Sequence, residues 1–178
     1  MGAELGAKHV LVAGDDLNRN RLIENYGRFC EQASEFGMTA DLEPMPWTAV
    51  KHIRDAIEVT SAVNFANAAI LVDALHYDRS ESSLDDLRSI DPSRINYIQV
   101  CDAPHIENPT LDQLIHNARG ERFLPGDGDI DIASMLRALP RDKVISIEIP
   151  RTKEEATISP RERALQALDR TQQLIASL

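Results

Sequence analysis

Short apolar runs alternate along this chain with longer stretches that carry apolar residues at helical spacing. Runs that are almost continuously apolar, such as AAILV and VISI, are typical of parallel strands covered on both faces by helices. The alternation therefore predicts an α/β fold built on parallel strands. The five strand-like runs are KHVLVAG, TADLEPMP, AAILVDA, INYIQVCD and KVISIEIP, which begin at Lys8, Thr39, Ala68, Ile95 and Lys143.

Helices are predicted between these strands and after the last one. The first ends before Gly37, where a left-handed residue would close it, and shorter helices are predicted at 48–60, 83–90 and 132–139. The final helix has a clear start signal, because Ser159 suits an N-cap, Pro160 suits the first turn and Glu162 completes a capping box. The predicted buried stripes are Leu22, Ile23, Tyr26, Phe29, Cys30, Ala33 and Phe36 in the first helix, and Leu165, Leu168, Leu174 and Ile175 in the last.

Length and composition exclude several classes of protein. The 178 residues are 43% hydrophobic and contain no Gly/Ser-rich linker, so one domain spanning 1–178 is expected. No apolar run approaches the roughly 20 residues that span a bilayer, and the N-terminus lacks a signal pattern, so we expect a soluble, cytoplasmic protein without a membrane partner. Cys30 and Cys101 lack the spacing of a zinc cluster and are expected to be reduced thiols.

Nucleic acids and nucleotides are unlikely ligands on charge and motif grounds. The formal net charge of −10 argues against binding to a phosphate backbone. Five parallel strands also permit an open, doubly wound sheet, but G-x-G-x-x-G follows none of them. The superficially similar GDGD at 126–129 follows a loop rather than a strand.

Polar side chains recur where each strand gives way to the following loop. Glu43, Asp73, Gln99 and Glu148 occupy such positions, and Asp102 is a candidate for orienting them. A lone strand-end acid more often caps a helix or pairs with an arginine. Together, however, three carboxylates and an amide oxygen would repel one another without a cation, and oxygen ligands suit Mg²⁺ or Mn²⁺ at about 2.1 Å. A divalent-metal site is therefore predicted.

Five phrases carry a family resemblance that extends over nearly the whole chain. They are LEPMP, LVDALHYDRS, YIQVCDAP, RFLPGDGDID and ISIEIP. In this order they resemble the xylose isomerase-like TIM-barrel superfamily, especially the sugar phosphate isomerases/epimerases. The resemblance implies a partial (β/α)8 TIM barrel comprising about the last five β/α units, without the N-terminal units. It also implies Mn²⁺ or Mg²⁺ held by Glu43, Asp73, Gln99 and Glu148.

The resemblance assigns further residues to the substrate. The family's D-x-x-H pattern is matched by Asp73 and His76, which implies a substrate contact for His76. Arg122 matches a basic position that clamps an anionic or hydroxyl group, although a structural salt bridge is the alternative. Trp47 could form an apolar wall for a sugar or ring, or anchor its own loop. The polar segment 103–121 is expected to be a loop over the site, and its His105 and His116 match no ligand position.

The expected activity is that of a metal-dependent sugar (phosphate) isomerase/epimerase acting through an enediolate, with Glu43 and Glu148 exchanging the proton. Gln99 replaces the family's histidine and resembles 3-dehydroshikimate dehydratase-like members, so a related lyase acting on a cyclic polyol or keto acid stays open. A truncated, noncatalytic barrel subunit is a further alternative. A DNA-repair endonuclease of the same superfamily is disfavoured by the negative charge. Open strand edges imply a homo-oligomer or a missing N-terminal portion.

Overall fold

The computed structural model describes residues 2–178, and six short strands form its sheets. They are His9–Ala13 (β1), Thr39–Glu43 (β2), Ala68–Ile70 (β3), Val72–Asp73 (β4), Tyr97–Val100 (β5) and Val144–Ile147 (β6). Neighbouring strands pair in parallel, in the order β1-β2-β3 in one sheet and β4-β5-β6 in the other. The structure confirms the α/β prediction and matches part of a TIM barrel.

The third predicted strand is broken in two. β3 pairs with β2 and β4 pairs with β5, and Leu71 lies between them. The Leu71 amide still donates to the carbonyl of Leu42 at 3.0 Å, so the path of the chain is continuous through the break. The five predicted strand positions are therefore present, but one of them serves two sheets.

Seven α-helices follow the strands and cover them with apolar side chains. They are Arg19–Glu35 (α1), Ile53–Val63 (α2), Ala74–Arg79 (α3), Leu84–Arg88 (α4), Leu111–Gly120 (α5), Ile132–Ala138 (α6) and Pro160–Ala176 (α7). Alternate strand residues such as Leu42, Ile70 and Ile98 join helix residues such as Val59 and Met135 in one buried cluster. Because side chains alternate along a strand, the intervening residues face the opposite side of the sheet.

Three helix predictions differ from the structure. The helix predicted at 48–60 begins only at Ile53, because residues 45–50 close a turn in which the Met45 amide donates to the Val50 carbonyl at 3.0 Å. The loop predicted at 103–121 contains α5, which starts with a capping box of Thr110 and Gln113. Helix α3 was not predicted at all, because it begins directly where a strand ends, with Asp73 as its cap.

The predicted stripes of the first and last helices are only partly buried. Ser159 caps α7 as expected, but Leu165, Leu168 and Ile175 are 50%, 45% and 43% exposed, while Ala167 and Thr171 are buried. In α1, Phe36 is 61% exposed because it is the C-cap, and Gly37 has the expected positive φ of 66°.

The outer strands β1 and β6 each have one edge without a neighbouring strand in the described part of the chain. The side chains of β1 that share a face with Glu43 are exposed, including Leu11 at 42%, and Val144 of β6 is 68% exposed. The expectation that VISI is covered on both faces is therefore wrong for β6, since it is an edge strand with no neighbour beyond it among residues 2–178. Exposed edges and apolar side chains of this kind favour association.

The two cysteines agree with the expectation of free thiols. Cys30 and Cys101 are buried and free, and Cys30 lies on the buried face of α1 as the spacing indicates. None of the described helices has the length and apolar character needed to cross a membrane.

Substitution of Gly14, where β1 leads into the loop at the site, should destabilise the fold. A Cβ there would lie 2.5 Å from Val50 Cγ2, and Val50 is fully buried and β-branched, so it cannot move aside. Gly14→Ala should lower the free energy of unfolding by about 1–3 kcal/mol. Gly27→Ala in α1 is the matched control, because a Cβ there would lie no closer than 3.4 Å to any neighbouring atom. This variant should raise the free energy of unfolding by up to about 1 kcal/mol. Urea denaturation checks both, and equal stability of the two variants would contradict the packing argument.

Candidate metal centre

Strand register brings the four predicted metal ligands to one end of the sheets. Glu43 is the last residue of β2, Asp73 is the last residue of β4, and Gln99 is paired in register with Asp73. Gln99 is also in register with Ser146, so Glu148, two residues further on, shares its face of the sheet. The carboxyl ends of parallel strands thus place all four side chains at the same edge.

These side chains are largely buried and their hydrogen bonding is incomplete. Glu43, Asp73 and Gln99 are 3%, 2% and 7% exposed, whereas the Glu148 side chain is 41% exposed. Glu43 Oε1, Gln99 Oε1 and His76 Nδ1 are buried without a hydrogen-bond partner in the described part of the chain. A buried polar atom without a partner costs about 1–3 kcal/mol, so three of them at one point indicate a group that binds there.

His76 lies between the carboxylates. Its Nε2 is 3.8 Å from Glu43 Oε1 and 4.0 Å from Asp73 Oδ1, and a possible ligand atom from each of the three residues lies within 4.8 Å of the others. Asp73 has a structural role as well, because its Oδ1 accepts a hydrogen bond from the His76 amide at 3.0 Å and so caps α3. Trp47 packs against the His76 imidazole edge to face, with ring centroids 5.0 Å apart, which places the indole at the site.

Arg122 connects two of the predicted ligands across strand β5, since Asp73 ends β4 and Glu148 follows β6. Its Nη1 donates to Asp73 Oδ2 at 2.6 Å, and its Nη2 lies 3.4 Å from Glu148 Oε2. Its Nε donates to the Ala118 carbonyl at 3.0 Å, and the residue is only 3% exposed. The guanidinium is thus held by protein groups on three sides, which is the structural salt bridge that was the alternative to a substrate clamp.

Burial and like charge shift the protonation of the site. Burial, with Asp73 and Glu148 nearby, raises the pKa of Glu43 to about 8, although Arg122 opposes this shift. Burial also raises the pKa of Glu148, again against Arg122. Burial lowers the pKa of His76 to about 4, so its imidazole is neutral at physiological pH. A neutral imidazole among three carboxylates leaves Arg122 as the only cation in direct contact with the described acids here.

The residues present fit a divalent cation. Carboxylate and amide oxygens are the ligands that Mg²⁺ and Mn²⁺ prefer, and a neutral imidazole would add a nitrogen ligand suited to Mn²⁺ or Zn²⁺. Two of the atoms without partners, Glu43 Oε1 and Gln99 Oε1, belong to the predicted ligand set. A divalent ion would satisfy both oxygens and offset the excess negative charge.

The loop that carries Arg122 is organised by Asp102. The backbones of Asp102 and Phe123 exchange hydrogen bonds at 2.9 and 2.7 Å. The Asp102 carboxylate, 1% exposed, accepts from the amides of Ala103, Gly126 and Ile130. A side chain at Gly128 would overlap the same carboxylate. Asp102 thus supports the site through the loop, as the sequence suggested, rather than by contacting the cluster.

A cavity of about 400 Å³ opens beside the cluster, a volume typical of small-molecule sites. Of the predicted metal ligands and substrate contacts, Asp73 and Gln99 are absent from its lining, whereas the others line it. Asp15 and Arg119, which the sequence reasoning missed, line it as well. Asp15 follows β1 as the other acids follow their strands, so the same signal could have identified it. His105 and His116 do not line this cavity, and His116 instead approaches Glu121 at 3.5 Å.

Comparison of the sequence with protein families identifies one match. The model of the family described as xylose isomerase-like TIM barrel matches residues 1–174. Among curated protein sequences, none is significantly similar to the chain.

Several solved structures share the fold. A zinc-bound IOLI protein superposes with a TM-score of 0.82 at 19% identity, over 99% of this chain and 66% of that one. The 3-keto-D-glucoside 4-epimerase of E. coli superposes with a TM-score of 0.70 at 16% identity, over 98% of this chain and 66% of that one. A D-allulose 3-epimerase from Methylomonas sp., in complex with D-allulose, superposes with a TM-score of 0.72 at 17% identity, over 97% of this chain and 64% of that one. The chain thus spans just under two thirds of these proteins, and at such identities the likeness is one of fold.

Removal of the Glu43 charge should stabilise the metal-free protein at alkaline pH. Because its pKa is about 8 in the folded state against an ordinary 4.5, the folded state retains a proton that the unfolded state releases, and stability is lost as pH rises through this window. In EDTA at pH 8, Glu43→Gln should raise the free energy of unfolding by on the order of 1–3 kcal/mol, with a smaller gain at pH 5. Urea denaturation measures this, and Glu58→Gln, on an exposed side chain of α2, is the control. Identical stability of wild type and Glu43→Gln at pH 8 would contradict the raised pKa of Glu43 in the folded protein.

Loss of the Asp102 carboxylate should release the loop that holds Arg122. Asp102→Ala leaves three backbone amides without their acceptor and should cost about 2–4 kcal/mol in unfolding free energy. Asp127→Ala in the same loop removes only an exposed ion pair with Arg170 and should cost less than about 1 kcal/mol. If thermal denaturation finds the two variants equally stable, Asp102 does not organise the loop.

Proposed function

Because the chain belongs to the xylose isomerase-like TIM barrel family, we propose that it is a metal-dependent isomerase or epimerase of small sugar-like molecules. One observation carries this proposal: two oxygens of the predicted ligand set, Glu43 Oε1 and Gln99 Oε1, converge in a buried site without hydrogen-bond partners among residues 2–178. The epimerases among the solved structures of this fold support the same class of reaction.

The residues that would hold the metal are Glu43, Asp73, Gln99 and Glu148. A bound divalent ion, Mn²⁺ or Mg²⁺ on the donor chemistry, would supply positive charge next to a substrate carbonyl and hydroxyl. The IOLI protein, which shares this fold, binds a zinc atom, and this supports a divalent ion as the ligand of the present chain. Neutral His76 lies close enough to Glu43 and Asp73 to contact the same ion or the substrate next to it.

Proton transfer falls to the two glutamates. Glu148 is the better base, because it is partly exposed and the adjacent Arg122 favours its ionised form. Glu43, the other glutamate of the cavity wall, would be the acid, because it ends β2 and so lies apart from Glu148 beyond β6. Glu148 would take a proton from the carbon next to the substrate carbonyl, giving an enediolate, and Glu43 would return a proton. Return to the other carbon isomerises the substrate, and return on the opposite face epimerises it.

The walls of the cavity suit a compact polar substrate with one apolar face. Trp47 presents an indole and His76 a neutral imidazole, a pair that can pack against a sugar ring and hydrogen-bond its hydroxyls. The D-allulose bound by the Methylomonas epimerase is a molecule of this kind. The same proton abstraction followed by loss of a β-hydroxyl would make the site a lyase of the dehydroshikimate dehydratase type, which Gln99 leaves as the second candidate.

We further propose that the open strands are covered in the working protein. Three more β/α units, in a longer polypeptide or a partner subunit, would complete eight, and a second copy of the chain could cover the same edges. Exposed Leu11 on β1, Val144 on β6 and Leu168 on α7 lie on the elements that such a neighbour would contact. The resulting enclosure would exclude water from the cluster.

Binding of Mn²⁺ tests the metal site directly. Gln99→Leu removes an amide oxygen that has no hydrogen-bond partner in the described structure, so the variant should be at least as stable as wild type in EDTA. Its Mn²⁺ affinity, measured by calorimetry, should nevertheless fall about tenfold or more, and Glu148→Gln should behave likewise. Glu58→Gln is the control and should bind normally. Unchanged affinity in both site variants would exclude the proposed ligand set.

Exchange of a carbon-bound proton tests catalysis without assuming a product. The Mn²⁺-loaded chain, incubated in D₂O with D-fructose, D-allulose or 3-dehydroshikimate, should replace a proton next to the carbonyl by deuterium, as observed by NMR. Glu148→Gln should slow the exchange by about 10²-fold or more, the range that general bases contribute. Mn²⁺ binding without any exchange would instead favour the noncatalytic subunit.

A further inference from the structure

Arg119 lines the same cavity as Glu43 and Glu148, two of the four proposed metal ligands. It lies in the last turn of α5, three residues before Arg122, which follows the helix. Both arginines, together with Glu43, His76 and Glu148, form the walls of the 400 Å³ cavity. The Arg119 side chain is exposed, and it forms no hydrogen bond or ion pair with any residue of the described chain.

The other cations near the site are already engaged. Arg122 is buried and bound to Asp73, Glu148 and the Ala118 carbonyl. A neighbouring cavity of about 410 Å³ contains Arg151 and Lys153, but these pair with Glu154 and Glu121 respectively. Arg119 is therefore the cationic side chain that remains available to a ligand in the cavity.

We infer that the substrate carries an acidic group, a carboxylate or a phosphate, and that Arg119 binds it. The inference rests on the proposed function, because it assumes that the reacting carbonyl lies at the cluster of Glu43, Asp73 and Glu148. A planar guanidinium donates two parallel hydrogen bonds to either acid, and although Asp15, Glu43 and Glu148 line the same cavity, none of them forms an ion pair with Arg119 in the described structure. The acidic end of the substrate is then held at α5 while its carbonyl end reaches the metal ligands.

A second effect of Arg119 must be separated from ligand binding. A cation in the last turn of a helix also stabilises the helix dipole. Arg137 is the matched control, because it lies in the last turn of α6, is exposed, and lines a different groove with Pro140 and Lys143. Arg137→Ala should reproduce any helix effect of Arg119→Ala without touching the cavity beside Glu43.

Two pairs of probes that differ only in an acidic group test the inference by calorimetry. D-fructose 6-phosphate is compared with D-fructose, and quinate with methyl quinate, so that the arms separate phosphate from carboxylate. Wild type should bind at least one acidic member about tenfold or more tightly than its neutral counterpart. Arg119→Ala should reduce this preference to about twofold, and Arg137→Ala should preserve it. Arg119→Gln serves in its place if the alanine variant fails to fold, as judged by circular dichroism.

The outcomes distinguish this inference from the proposed function. Titrations are run with and without Mn²⁺, so a failure to bind the metal contradicts the proposed function while the preference for an acid is still measured. Equal binding of acidic and neutral probes, binding of no probe, or a preference that survives loss of Arg119 overturns the inference. A preference lost in Arg119→Ala but retained in Arg137→Ala supports it, whether or not the chain turns any probe over.

Discussion

The buried ion pair between Arg122 and Asp73 holds the site together. It joins the end of β4 to the loop after α5 across a contact of 2.6 Å, and the same guanidinium approaches Glu148 beyond β6. Removing one partner of such a pair leaves an uncompensated charge in a low-dielectric interior, which is far more costly than the pair itself is stabilising. The positions of the proposed metal ligands Asp73 and Glu148, of α3 and of the cavity wall at α5 all depend on this contact.

The same contact determines the electrostatic balance of the site. One guanidinium offsets part of the charge of three carboxylates, and burial together with the remaining negative charge raises the pKa of Glu43. A protonated acid and a bound divalent ion are alternative ways to relieve this repulsion. Proton release and metal binding at Glu43 are therefore coupled, and affinity for the metal rises with pH over the range in which the acid would otherwise keep its proton.

Much of this architecture can be predicted from the sequence because it depends on local periodicity. Apolar runs ending in an acid predicted the strand ends at Glu43 and Asp73, and Gly37 predicted the end of α1, whereas β5 continues one residue beyond Gln99. Other features depend on tertiary context. Helix α5 lies in a polar segment, and the place of Arg119 in the cavity follows from the packing of this helix rather than from sequence spacing. The stripe of α7 was overestimated for a related reason, because apolar spacing cannot show which side of a helix lacks a neighbour.

The break at Leu71 has a mechanical consequence. Glu43 belongs to the β1-β2-β3 sheet, whereas Asp73 and Gln99 belong to the β4-β5-β6 sheet, so the ligand set straddles the junction of two hydrogen-bonded units. An ion held by both sides would act as a noncovalent cross-link between two sheets that are also joined by the chain at Leu71, by hydrogen bonds from Asn96 to Asp41 and Thr39, and by helix packing. Separation of the two sheets would then require release of the ion first. Binding of the ion would therefore make the pair of sheets more rigid.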